Sequence, residues 1–73
     1  MPLVIAPTNM DLVIIKILAD EKEKKHFESL GIAVNQIISV ISQTSGNVIL
    51  QVKEGRIALD KNIANKIIVN PAK

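Results

Sequence analysis

The sequence lacks cysteine, tryptophan and tyrosine, and it has one phenylalanine, Phe27, and one histidine, His26. Without cysteine there is no disulfide, no thiolate zinc site and no iron–sulfur cluster. With a single histidine as well, a closed structural metal site is not expected. Without tryptophan or tyrosine there is no stacking platform for single-stranded nucleic acid. No charge sign dominates: nine Lys and Arg stand against seven Asp and Glu, a net +2. That bias is too small to draw nucleic acid by counterion release alone. Long apolar runs are absent too. Leu12 to Ile15 is cut short by Lys16, far below the roughly 20 residues that span a bilayer. The opening MPLVIAPTNM has no basic region, long apolar region and cleavage site in succession. A soluble, cytoplasmic protein is expected, with no direct membrane insertion.

What is present is aliphatic and β-branched. Isoleucine occurs 13 times and valine 7 times, against 6 leucines, in a chain of 73 residues. Such side chains are stiff at χ1 and pack well on a pleated surface. The composition points to a mostly β domain. The length allows one domain, residues 1–73, and a core of that size rarely supplies more than about 3–5 kcal/mol unless it is stapled, tightly packed or bound to a partner.

The chain has no linker, low-complexity stretch or repeat. Met1 to Thr8 holds Pro2 and Pro7 and reads as an extended lead-in with a short edge strand at Leu3 to Ile5. Asp11 to Ala19 is the first long strand. Strict alternation puts Val13, Ile15 and Ile17 on one face and Leu12, Ile14 and Leu18 on the other. Both faces are apolar, as in an interior strand of a covered sheet. Asp20 to Leu30 has no β-branched residue and reads as a short helix. Asp20 is its N-cap, Phe27 and Leu30 share a face, and Gly31 sits where a left-handed residue ends a helix.

Gln36 to Gln43 and Asn47 to Lys53 form a hairpin around Thr44-Ser45-Gly46. Val48, Leu50 and Val52 face inward. A tight turn at Glu54-Gly55 leads into Arg56 to Asp60, with Ile57 and Leu59 inward. Asp60 caps a helical turn over Lys61 to Lys66, and Ile67 to Val69 is the last strand. The order β-α-β-β-β-short helix-β points to a small barrel, since closure hides the edges of a small sheet.

Catalytic chemistry finds no support. His26 lies among lysines, and Ser29, Ser39, Ser42 and Ser45 lack a nucleophile context. Glu23 and His26, spaced i, i+3, are weak candidates for a shared divalent ion. Their expected state is a solvated helix surface, with no bound cofactor. The lysines Lys22, Lys24 and Lys25 alternate with Asp20, Glu21, Glu23 and Glu28, which makes a mixed solvated face. A small RNA-binding barrel is the alternative reading, and the balanced charge argues against it. Arg56 is the one arginine, placed as an anchor for a partner carboxylate or as an edge-strand charge. Ile14, Ile32, Ile37 and Ile49 exceed what the inside of so small a barrel needs, so some are expected to meet a partner.

Four segments resemble the ferrous-iron transport protein A (FeoA) family. Glu23-Lys24-Lys25-His26-Phe27-Glu28-Ser29-Leu30-Gly31-Ile32 is similar to the family's basic helix ending in Leu-Glu-Leu-Gly-aliphatic. Gln36 to Val40 looks like the strand that follows. Gly55-Arg56-Ile57-Ala58-Leu59 resembles Gly-x-Arg-aliphatic-Ala-Leu, with one residue fewer between Gly and Arg. Ala64, Ile67 and Val69 match a closing Ala-x-x-Ile-x-Val. Where the family has Pro-Gly turns, this sequence has Thr8-Asn9 and Val34-Asn35, and asparagine tolerates left-handed geometry. Lys24 and Lys25 stand where arginine is common, without its forked contacts. The resemblance implies an SH3-like small β-barrel and a non-enzymatic, cytoplasmic accessory of ferrous iron uptake. Its partner would be the cytosolic part of a FeoB-type iron transporter, met by an exposed aliphatic edge at Leu30, Gly31 and Ile32 with Arg56 nearby. A similar domain closes metal-dependent repressors, and the short chain favours the transport accessory.

Overall fold

The computed structural model describes residues 1–53 and 55–72. Five strands run β1 (Leu12–Ile17), β2 (Ile37–Gln43), β3 (Asn47–Val52), β4 (Gly55–Asp60) and β5 (Ile67–Pro71). A helix α1 (Glu21–Ser29) joins β1 to β2, and a single turn α2 (Lys61–Ala64) joins β4 to β5. All ladders are antiparallel, in the order β4-β3-β2-β1-β5. β2 belongs to both halves. Ile37 and Ile38 pair with β1, and Ser39 to Gln43 pair with β3 across a bulge between Val40 and Ser42. Sharing one bent strand lets two three-stranded halves wrap around a common interior. The result is the expected SH3-like, mostly β barrel with one short helix.

The interior is almost wholly aliphatic. Leu3, Leu12, Ile14, Ile32, Val40, Val48, Leu50, Ala64, Ile67 and Val69 have no solvent exposure, and no polar side chain is buried among the described residues. Phe27 adds the one aromatic ring. Val48, Leu50 and Val52 face inward as their alternation indicates.

Local chemistry sets the boundaries of α1. The Asp20 carboxylate accepts the Glu23 N–H at 2.8 Å, an N-cap. At the other end, the Gly31 N–H donates to Glu28 O at 3.0 Å and the Ile32 N–H to Phe27 O at 2.9 Å. This pair of bonds is a Schellman motif, and it requires a left-handed residue at Gly31, where φ is 89°. Its accompanying apolar contact joins Phe27 and Ile32, both buried. Asp60 caps α2 likewise, accepting the Ile63 N–H at 2.9 Å. In the β2–β3 hairpin, Thr44 Oγ1 accepts the Asn47 N–H at 3.0 Å.

Among the described residues, Asn9 and Asn35 are the two non-glycine residues with positive φ, 60° and 76°. Both stand where the family's Pro-Gly turns were expected. At the second, the Gln36 N–H donates to Ala33 O at 3.1 Å. A positive φ at the third residue of that turn is the type II geometry that favours glycine or asparagine.

Three expectations are corrected. Leu3–Ile5 is a 3-10 turn, not an edge strand. Leu3 is its buried residue, and the capping Ala6, three positions on, is buried too, which suits a helix with three residues per turn. Pro2 opens it, and its carbonyl accepts the Ile5 N–H at 3.1 Å. The edge of β5 is instead bridged by Pro2 at Ile68, with Met1 and Val69 exchanging bonds. In β1 the alternation slips. Ile14 pairs with Val69 and Lys16 with Ile68, so Ile15 is an unpaired bulge residue. Leu12, Ile14 and Ile17 therefore point inward, while Ile15 and Lys16 are both exposed. Finally, Ile14 and Ile32 are core residues rather than surplus surface, and Ile49 is half-buried. Of the four isoleucines named, only Ile37 is well exposed, at 48%. The turn expected at Glu54-Gly55 lies partly outside the described residues, at Glu54.

Two measurements check this packing. Phe27→Ala removes the only buried side chain of α1 and should cost about 3–5 kcal/mol. In a core of this size that leaves the protein largely unfolded, as loss of chemical-shift dispersion at 25 °C. Asn35→Gly should leave the denaturation midpoint nearly unchanged, while Asn35→Ala should cost about 1 kcal/mol through its left-handed backbone.

Candidate functional site

The turn that closes α1 and the adjoining ends of β3 and β4 meet in a shallow groove of about 190 Å³. It is lined by Ser29, Leu30, Val52, Gly55, Arg56 and Ile57. Each wall has a local cause. Leu30 is the C-cap residue of α1, and the reversal at Gly31 leaves its side chain half-buried instead of carrying it into the core. Val52 and Ile57 come from the inward rows of β3 and β4 and give the groove its apolar floor. Gly55, with φ at 139°, starts β4 and adds no side chain to the groove.

Arg56 is fixed from below. It pairs with Gln51 across the β3–β4 ladder. Its Nε donates to Gln51 Oε1 at 3.3 Å. Gln51 in turn donates from Nε2 to the carbonyls of Val52 and Gly55, at 3.2 and 3.3 Å. The amide thus braces the turn and orients the guanidinium together. Among the described residues no carboxylate forms an ion pair with Arg56. An exposed arginine beside an apolar groove offers a forked donor next to a hydrophobic seat, which suits a peptide or protein surface carrying a carboxylate.

Of the residues named from sequence, Leu30 and Arg56 are brought together in this groove. Gly31 is half-buried and acts through its backbone. Ile32 is fully buried against Phe27, so the exposed aliphatic edge expected at Leu30, Gly31 and Ile32 is reduced to Leu30. Ile32 turns inward because the Schellman motif places the residue after glycine over the last turn of the helix. Val52 and Ile57 had been read only as inward-facing residues, and Gln51 had not been singled out. The register of the β3–β4 hairpin, which sets Gln51 opposite Arg56, is the signal that finds them.

Glu23 is in an ion pair with Lys66 Nζ at 3.3 Å, which ties α1 to the start of β5. Both partners are about two-fifths exposed, so the pair adds under about 1 kcal/mol. His26 is exposed, and its carbonyl accepts the Ser29 hydroxyl at 2.6 Å. Among the described residues no three His, Cys, Asp or Glu side chains are grouped to hold a metal ion. No helix among them is long and apolar enough to cross a membrane.

A family model described as the FeoA domain matches residues 1–71. No curated protein matches the sequence. Among solved structures, a crystal structure of an iron uptake regulatory protein (FeoA) superposes with a TM-score of 0.88 at 20% identity, over 99% of this chain and 97% of the other. The solution structure of the FeoA protein from Chlorobium tepidum gives 0.86 at 13% identity, over 100% of this chain and 71% of the other. A manganese-dependent transcriptional repressor gives 0.86 at 19% identity; 99% of this chain is covered but only 41% of the repressor. At these identities the structural likeness speaks to the fold, while the family model speaks to descent. Matched along nearly its whole length and folded as the solved proteins of that name are, the chain belongs to the FeoA family.

Proposed function

We propose that this protein is a non-enzymatic accessory of ferrous iron uptake that works in the cytoplasm by docking on the cytosolic part of a FeoB-type transporter. The observation that carries the reading is the meeting of Leu30 and Arg56 in one groove, within a chain of the FeoA family. Leu30, Val52 and Ile57 seat an apolar side chain of the partner. Arg56, held by Gln51, receives a carboxylate beside it. Iron is the transporter's cargo and has no resident site on the accessory. The groove is a contact surface, and its effect on transport is exerted through the partner.

The likeness to the manganese-dependent repressor supports a second reading, in which a domain of this kind serves a metal-responsive regulator. The two readings differ in partner: a transporter's cytosolic domain in the first, the remainder of a repressor in the second.

Calorimetric titration against the isolated cytosolic domain of the transporter tests the first. Wild-type protein should bind. Leu30→Arg should weaken binding at least about tenfold, and Arg56→Glu by a similar factor, the range of an interface anchor. Both positions lie outside the core, so the thermal midpoints should stay close to wild type. Absence of binding at high micromolar concentration overturns the reading.

A further inference from the structure

The outward face of β1 is apolar and uncovered. Val13 shares its row with Ile37 on β2 and Asn70 on β5, and Lys16 shares the next with Ile68. The bulge turns Ile15 outward as well, 42% exposed, beside Ile37 at 48% and Leu18 at 50%. Val34 is 49% exposed in the turn entering β2, whose Asn35 N–H donates to Ile14 O at 2.7 Å. Val13 and Ile68 are half-buried between them. Single exposed aliphatics are ordinary, but several contiguous ones on one sheet face mark an interaction surface.

This face lies on the outside of the β5-β1-β2 half, apart from the groove beside Arg56. A row of half-exposed aliphatics on a strand face suits another flat surface. Its charges point to which one. Asp11 precedes β1 and Lys16 lies near its other end; both are exposed, and alternation puts Asp11 on the same side as Val13. An anionic end, an apolar middle and a cationic end along one strand make a surface complementary to itself.

We propose that this face pairs with the same face of a second copy, about a two-fold axis through the middle of β1. The two β1 strands stack antiparallel, so Asp11 of each copy meets Lys16 of the other, and Val13, Ile15 and Ile37 fill the centre. A handful of aliphatic contacts is well short of the roughly 20–30 residues a side of a stable interface. The dimer is therefore dissociable, and its formation leaves the Arg56 groove open.

Sedimentation equilibrium of the full chain between about 10 µM and 1 mM tests this. Wild-type protein should shift from monomer toward dimer over that range. Lys16→Asp and Asp11→Lys should each weaken association about fivefold or more by setting like charges opposite one another. The double variant Asp11→Lys/Lys16→Asp should return to within about twofold of wild type. Ile37→Lys should leave a monomer with an unchanged circular dichroism spectrum. A protein that stays monomeric at 1 mM overturns the proposal and assigns the face to a different occupant. Association that survives Ile37→Lys, or that the double variant does not restore, overturns it equally.

Discussion

The reversal at the end of α1 is the constraint on which the rest depends. The helix buries one side chain, Phe27, and is too short to persist alone. Its position is set where Gly31 takes a left-handed conformation and Ile32 turns back onto Phe27. The same two backbone bonds place the last aromatic in the core, send Ile32 inward and leave Leu30 at the surface. Only then do Leu30 and the β4 residues Arg56 and Ile57 line one groove. The groove is a by-product of helix termination, and the conformational freedom of one glycine sets both the packing of α1 and the shape of the groove.

The core does not take in every aliphatic side chain of the chain. The bulge at Ile15 converts a strand that is apolar on both sides into one with a filled inner row and an open outer row. The cost of that exposure is borne on the face where Asp11 and Lys16 flank it, while the groove on the other half of the barrel carries the single arginine. The two surfaces draw on the same resource, an excess of isoleucine and valine over what the interior takes in.

Much of this was legible in the sequence wherever the controlling interaction is local. Asp20 and Asp60 cap helices three residues away from the N–H groups they accept. Asn9 and Asn35 take the left-handed turns that their chemistry permits. Val48, Leu50 and Val52 alternate because the bulge in the β2–β3 ladder falls on β2 and leaves β3 itself regular. What was not legible depends on distant partners. The slip at Ile15 arises from pairing with β5, some fifty positions along the chain, and a strict period of two cannot reveal it. The turn at Leu3–Ile5 is decided by where Leu3 and Ala6 find the core. Of the site, Leu30 and Arg56 were legible as an exposed helix end and a lone arginine. Val52 and Gln51 became part of it only through the register of the hairpin.

The central claim is that the groove at the end of α1 is where this FeoA-family protein meets the iron transporter. Amide chemical-shift mapping on the labelled protein, with the transporter's cytosolic domain added, tests it most directly. The account predicts perturbations concentrated at Ser29, Leu30, Val52 and Gly55 to Ile57, with the β1 residues Val13 to Lys16 unmoved. Perturbations centred on Val13, Ile15 and Ile37 instead, or none at saturating partner, would contradict it.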